Sequence, residues 1–385
     1  MAESSSEHRA FLYLQHWKKE DDLESLLYKI RCPAHLFSYA YQKTKSLYLQ
    51  LPPRLDGNDP LTHPLNAVLA LEEAKVADET VLCAGLLHDY VEESVDLYKR
   101  ENKLSKDEKS IGILDNYELT LFDQLQADLT PIGQDVQAIN KTIGVLKLLT
   151  RHKREFYYRS VSNIFLCTDE KLKEMAIQVK LADRMHNILS LESFTEEDRN
   201  FQCFKNLFII NNAKKFLLDD VEHRVAKDMN ILPTELLFKR CSKATYDAFL
   251  TICHDSAKKG VEKVSSMLQL AFKKFALEKA GVWQVTNVNE NETHLMRLFQ
   301  GVVRKYDARL HHEWDKYEQL KENERNYCRK FFSDFNFTEE QIGAVLDYKD
   351  AYALKEMVAD LLYVPDYVLH KFLSSELDPK ARILE

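Results

Sequence analysis

Three short segments of this chain set histidine and aspartate inside apolar, helix-patterned sequence. They are His63 in LTHPLNAVLALEE, His88 and Asp89 in VLCAGLLHDYVEES, and Asp183 in AIQVKLADRMHNILSL. Two imidazoles and two carboxylates are enough to close most of the shell of one divalent cation. The donors are nitrogen and oxygen without thiolate, which suits Mn²⁺, Fe²⁺ or Zn²⁺ and differs from a structural zinc site. A cation held in this way lowers the pKa of a bound water and makes hydroxide available near neutral pH. Residues four apart on a helix share a face, so Glu92 aligns with His88, Glu93 with Asp89, and Asn187 with Asp183. Lys180 lies about one turn before Asp183, and Glu92 or Glu93 is a candidate general base.

Each element has a plain structural alternative. His63 suits a helix cap, His88-Asp89 a helix-ending ion pair, and Asp183-Arg184 a surface pair. Their joint occurrence in apolar frames argues against all three at once, because unpaired charge is costly to bury. A His-Asp dipeptide alone carries little weight. The chain has a second one, His254-Asp255 in LTICHDSAKK, with no histidine on a preceding helix and no matching aspartate segment, and it reads as a helix-end pair.

The elements that must position these residues are helical from end to end, which makes the expected fold class all-α. PPRLDGNDP, with three prolines and a glycine, reads as a loop, and LTHPLNAVLALEEAKV opens a helix with Pro64 at an early position. Asp78 is a candidate N-cap for one helix running through DETVLCAGLLHDYVEESVDLYK. Residues 101–140 read as a connection with short helices. TIGVLKLLTRHKREFYYRSVSNIFL and EKLKEMAIQVKLADRMHNILSLES read as two further helices, and FKNLFIINNAKKFLLDDVEHRVAKD closes this part. Helical patterning continues through ATYDAFLTICHDSAKKGVEKVSSMLQLAFKKFALEKAGVW and HHEWDKYEQLKENERNYCRKFF, with a hinge or strand pair expected at QVTNVNENET. The expected organisation is an N-terminal helical extension (1–34), a metal-site domain (35–229) and a helical C-terminal region (230–385) with no recognisable chemistry.

Composition narrows the class. With 45% hydrophobic and 30% charged residues, the chain resembles a globular protein, not a disordered one. A net charge of −8 without a dense Lys/Arg block disfavours nucleic acid and anionic membrane as partners. MAESSSEHRAFLYLQ lacks the apolar segment of a secretory signal, and no apolar run reaches transmembrane length. The seven cysteines are odd in number and never in CxxC spacing, so a reduced, cytoplasmic chain with buried thiols is expected.

RLDGNDPLTHPLNAVLAL, VLCAGLLHDYVEES and VKLADRMHN resemble the three hydrolase signatures of the RelA/SpoT-homologue HD domains, which include the stand-alone small alarmone hydrolases. The resemblance covers roughly residues 35–225, and VKLADRMHN is its most specific piece. It implies one Mn²⁺ on His63, His88, Asp89 and Asp183, with Glu92 and Glu93 as the catalytic acids. Glu93 stands where that family usually has aspartate. The resemblance further implies that Arg54, nine residues before the first metal histidine, contacts the nucleotide and that Asn187 lies near the reacting phosphate. Lys180, Arg151 and Lys153 are candidates for binding phosphate charge. No synthetase-like pattern follows residue 225.

The leading reading is therefore a metal-dependent phosphohydrolase with a nucleotide substrate, most concretely one that removes the 3′-pyrophosphate of guanosine tetra- or pentaphosphate. One alternative keeps the metal site and changes the substrate, to NADPH or a dNTP. Another is a catalytically silent HD-fold scaffold.

Overall fold

The structure, a computed structural model, describes residues 34–369 apart from 56, 106, 133–134, 152–156, 220–230, 280–292, 296, 299–300, 303 and 307–313. The expected N-terminal extension falls outside these residues except for Ala34, as does QVTNVNENET except for Thr293. Among the described residues there are helices and no strands, and the chain is all-α. It forms two compact units. The first takes the described residues of 34–193 and 212–241, the second those of 194–211 and 242–369. The change between units thus falls on either side of the expected boundary at 229 and 230.

The first unit contains α1 (Ala34–Tyr48), α2 (Thr62–Glu73), α3 (Glu79–Leu87), α4 (Tyr90–Glu101), α5 (Glu108–Leu129), α6 (Val136–Leu149), α7 (Tyr157–Leu166) and α8 (Glu170–Leu189). At its centre is α3, which packs against α1, α2, α6 and α8. Thr80 through Leu87 are all buried, so this helix has no wet face. A helix buried all round is apolar all round, as ETVLCAGLL is. Gly85 lets α2 approach closely: a methyl group there would lie 2.8 Å from Leu71 Cδ1. Asp78 caps α3 as expected, accepting from the Thr80 N–H at 2.8 Å. Asp107, Asp135 and Asp169 cap α5, α6 and α8 in the same way.

Three expectations are corrected. The helix expected through DETVLCAGLLHDYVEESVDLYK is two, broken at a turn at His88-Asp89, where Asp89 stays in the right-handed region but departs from ideal helix angles at φ −101°, ψ −1°. The break falls where the sealed α3 gives way to the amphipathic α4, whose polar face needs water. The expected connection over 101–140 contains a 22-residue helix, α5. Its narrow inward stripe of Leu114, Leu121, Phe122, Leu125 and Leu129 suffices to dock it. The helix expected over TIGVLKLLTRHKREFYYRSVSNIFL is α6 and α7, separated because Thr150 turns extended at ψ 126°.

Helices α9 (Glu196–Asp219) and α10 (Pro233–Ser256) contribute residues 196–211 and 242–256 to the second unit. The rest of that unit includes α11 (Glu262–Lys279), α12 (Trp314–Phe331) and α13 (Glu339–Tyr363). A π-turn at Ala257–Val261 ends α10, with Gly260 at φ 99°. His254-Asp255 lies in the last turn of α10, where Asp255 pairs with Arg199 and Lys258, as the helix-end reading expects.

Inside this unit, Lys349 donates to Glu324 at 2.6 Å and forms an ion pair with Asp350 Oδ1 at 2.6 Å, and Lys305 donates to Asp350 Oδ2. Burial opposes ionisation of Asp350, but the two lysines outweigh it and hold its carboxyl below the usual range. Burial likewise opposes the charge on Lys305, and Asp350 and Glu324 outweigh it, raising that pKa. The Asp350 contribution to stability is complete above its ordinary value of 3.8 and fades as pH falls through the depressed one. The Lys305 contribution is complete below 10.5 and fades as pH rises through the raised value. Asp350→Asn should cost about 3–5 kcal/mol, since it strands buried cations. A loss below about 1 kcal/mol in urea unfolding at pH 7 would contradict this account.

Candidate metal centre and its cavity

His63 is the second residue of α2, and its ring meets that of His88 at the α3–α4 break. Asp183 is delivered by α8, which packs along α2 and α3. One donor atom each from His63, His88 and Asp183 lies within 4.8 Å of the others. His63 Nε2 is 3.0 Å from His88 Nε2 and 3.3 Å from both Asp89 Oδ2 and Asp183 Oδ1. His88 Nε2 is 3.2 Å from Asp89 Oδ2 and 3.9 Å from Asp183 Oδ1. Ligands about 2.1 Å from one ion are separated by roughly 3.0 Å along octahedral edges and about 3.4 Å along tetrahedral ones. His63, His88 and Asp183 therefore have the spacing of a possible metal-binding triad, and Asp89 lies beside its two imidazoles.

Tautomers support this. His88 Nδ1 lies 2.8 Å from the Gly85 carbonyl, to which it donates, leaving Nε2 to face the cluster. His63 Nδ1 lies 2.9 Å from His186 Nδ1, so His186 can fix the ring and direct Nε2 inward. The imidazole nitrogens and the carboxylates face one another, and His63, His88 and Asp183 are placed so that they fit a divalent cation. Burial opposes protonation of His88, but the Asp89 carboxylate outweighs it and holds that imidazole at about 9. Asp183 is held well below the usual carboxylate range. Its burial is outweighed by Lys180, whose Nζ lies 2.8 Å from Oδ2, and by the facing imidazoles.

Beside the cluster opens a cavity of about 700 Å³, with His63, Asp89, Glu93 and Arg54 in its walls. This is within the range of small-molecule sites. The loop expected at PPRLDGNDP supplies Arg54. It turns at Gly57, whose φ of 78° suits glycine and whose N–H donates to the Arg54 carbonyl at 2.9 Å. Arg54 Nη2 donates to Asn187 Oδ1 at 3.4 Å, and Asn187 Nδ2 donates to Asp183 Oδ1 at 2.6 Å. Arg54, Asn187, Asp183 and the metal donors thus form one connected group. Glu93 faces the cavity, whereas the Glu92 carboxylate is held by Arg151 Nη2 at 2.6 Å. Lys153 lies outside the described residues.

Two residues escaped the sequence reading. His186 is three positions from Asp183 on the same face, a spacing that could have singled it out. Tyr48 ends α1 and lines the cavity with its buried hydroxyl unpartnered, and nothing in its surrounding sequence marks it. Burial, then the charges of Asp89 and Glu93, push its hydroxyl well above the ordinary tyrosine pKa, so it is a neutral donor.

No family model and no solved structure matches the sequence. Among curated proteins, the chain is similar to one from Mycoplasma pneumoniae named "Probable guanosine-3′,5′-bis(diphosphate) 3′-pyrophosphohydrolase". The two are 30% identical over 144 residues, 37% of this chain and 16% of that protein. A Mycoplasma genitalium protein of the same name is 28% identical over 139 residues, 36% of this chain and 16% of that protein. The Escherichia coli K12 "Bifunctional (p)ppGpp synthase/hydrolase SpoT" is 23% identical over 297 residues, 77% of this chain and 36% of that protein. The chain spans about a sixth of the length of the two mycoplasma relatives it matches. No helix among the described residues is long and apolar enough to cross a membrane.

Mn²⁺ at about 100 times its dissociation constant should stabilise the protein by about 2.7 kcal/mol through mass action. The thermal shift should vanish in His88→Ala and Asp183→Asn. A shift retained in both variants would place ion binding elsewhere.

Proposed function

We propose that the chain is a metal-dependent phosphohydrolase of the HD type, acting on a nucleotide in the cavity beside His63 and Asp89. Its most concrete reaction is hydrolysis of the 3′-pyrophosphate of guanosine tetra- or pentaphosphate. The observation that carries this reading is the convergence of His63, His88 and Asp183, with Asp89 beside the two imidazoles, at the wall of a nucleotide-sized cavity. Similarity to proteins named as 3′-pyrophosphohydrolases, and to one named as a bifunctional (p)ppGpp synthase/hydrolase, supports the substrate. Mn²⁺ is the cation we propose, held by His63, His88, Asp89 and Asp183. When bound, it supplies a Lewis acid that polarises phosphoryl oxygen and makes water acidic near neutral pH. The buried cysteines Cys83, Cys203, Cys241, Cys253 and Cys328 fit a reducing, cytoplasmic setting.

In the reaction, a water oxygen bonds to the phosphorus attached to the nucleoside 3′ oxygen. The bond from phosphorus to that oxygen breaks, pyrophosphate departs, and the 3′ oxygen takes a proton. Glu93 faces this space and accepts the proton of the attacking water. Its carbon chain is one methylene longer than aspartate, and its attachment to α4 just beyond Asp89 keeps it near the ion. Glu92, tied to Arg151, keeps α4 and the segment after α6 in register and is one step removed from the proton transfer. Asn187 braces Asp183 and orients Arg54, which holds the nucleotide. Lys180 neutralises Asp183, which reduces its availability for phosphate.

Metal residues report on chemistry, whereas base selection rests with Arg54 and the cavity walls, so NADPH or a dNTP is the alternative substrate class. With Mn²⁺ and guanosine tetraphosphate, the protein should release GDP and pyrophosphate. Glu93→Gln should lower kcat by about 10²–10⁴ with the ion retained, and Glu92→Gln by less. Turnover of another nucleotide in a panel, with none of guanosine tetraphosphate, would refute the substrate. A larger loss in Glu92→Gln than in Glu93→Gln would reverse the two roles.

A further inference from the structure

Tyr48 is the last residue of α1, which packs against α3 and α4, so a helix and not a loop carries it. One turn earlier, Thr44 Oγ1 donates to the Leu86 carbonyl at 3.1 Å. That bond pins α1 to α3 two residues before His88, and Tyr48, four residues on from Thr44, shares its helix face. Tyr48 lines the cavity together with His63, Asp89, Glu93 and Arg54. Its side chain is 4% exposed, and its hydroxyl oxygen has no protein partner. Burying a hydroxyl in that state is unfavourable, and phenylalanine would fill the same space without the penalty. The fold therefore gives no reason for the oxygen, whereas a ligand in the cavity does. Arg54 Nε, on the same walls, is also buried without a partner.

The surrounding charges decide what the hydroxyl can do. Burial first, then the Asp89 and Glu93 carboxylates, keep it protonated, and Arg54 offsets them only in part. It is a donor without charge. Two nearby cations are already engaged, Lys180 with Asp183 and Arg151 with Glu92. A further cation beside Glu93 would pair with that carboxylate and weaken it as a base. A phenol supplies a hydrogen bond and leaves Glu93 basic.

We infer that Tyr48 is a further catalytic residue, whose hydroxyl donates a hydrogen bond to a non-bridging oxygen of the phosphoryl group under attack. The inference rests on the proposed hydrolase reading for the identity of that acceptor. No proton leaves Tyr48, and no bond is made or broken at it. The proton of the attacking water still goes to Glu93. A donor fixed at a helix end stabilises the negative charge that the non-bridging oxygens carry during the displacement, with no reorganisation at the moment of reaction.

The test compares the full chain, wild type and Tyr48→Phe, which removes one oxygen and keeps the ring. In thermal unfolding, Tyr48→Phe should equal or exceed wild type in Tm, because the hydroxyl has no partner to lose. A lower Tm would give the oxygen a structural role and overturn the inference. Kinetics use Mn²⁺ with guanosine tetraphosphate, or with the panel nucleotide that wild type turns over instead. The variant should lower kcat about 10–100-fold at every pH of the profile. An effect confined to KM, or none, overturns the inference. So does loss of the alkaline limb, which would make Tyr48 a proton donor. Inorganic phosphate, titrated calorimetrically into Mn²⁺-loaded protein, reads the contact without turnover, and its affinity should fall about tenfold in Tyr48→Phe. Absence of binding in wild type, or equal binding in the two, overturns the contact even where nucleotide is hydrolysed. Weakened phosphate binding in a protein that hydrolyses no nucleotide leaves the contact standing and refutes the hydrolase reading alone.

Discussion

Asp183 lies on a turn of α8 whose neighbours Leu181, Ala182 and Met185 are all buried, so its negative charge has to be met inside the protein. Lys180 meets one oxygen, while Asn187 and the two imidazoles face the other. This need for compensation organises the first unit. It explains why α8 runs along α2 and α3, and why α2 brings its second residue, a histidine, to that point. It also explains why the fully buried α3 ends in His88 and Asp89 instead of continuing. Without a bound ion, His88, held at about 9, supplies positive charge to the facing carboxylates at neutral pH, the place a cation on His63, His88 and Asp183 would take.

The surrounding parts follow as supports of different stiffness. Gly85 permits the close approach of α3 to α2 and also accepts the proton-bearing nitrogen of His88, so one residue fixes both position and tautomer. His186 does the second of these for His63. The Arg54 loop is held by its own turn at Gly57 and by Asn187, which ties Arg54 to Asp183. The second unit has its own buried ionic cluster, balanced by two lysines against Glu324 and Asp350, and its charges are accounted for within that unit.

The possible triad of His63, His88 and Asp183 was legible because carboxylates and imidazoles interrupt apolar frames at His63, His88-Asp89 and Asp183. Helical spacing added Asn187, which bonds Asp183, and Glu93, which lines the cavity beside them. Asp78 as a cap and His254-Asp255 as a helix-end pair were legible for equally local reasons. What was lost depended on neighbours distant in sequence. Periodicity runs unbroken through VLCAGLLHDYVEES, and only packing on all sides of α3 makes it stop at His88. The stripe on α5 is too sparse to separate from a loop without knowing what it docks against. Tyr48 becomes conspicuous only when the cavity leaves its hydroxyl without a partner. The division of the chain into units is likewise a matter of packing, since α9 and α10 are each continuous in sequence and shared between the two.

The central claim is a single cation site built from His63, His88, Asp89 and Asp183. The most direct measurement is anomalous diffraction at the manganese edge from crystals grown with Mn²⁺. The account predicts one strong peak about 2.0–2.3 Å from His63 Nε2, His88 Nε2 and a carboxylate oxygen of each aspartate. A peak elsewhere, or none at full Mn²⁺ saturation, would contradict it.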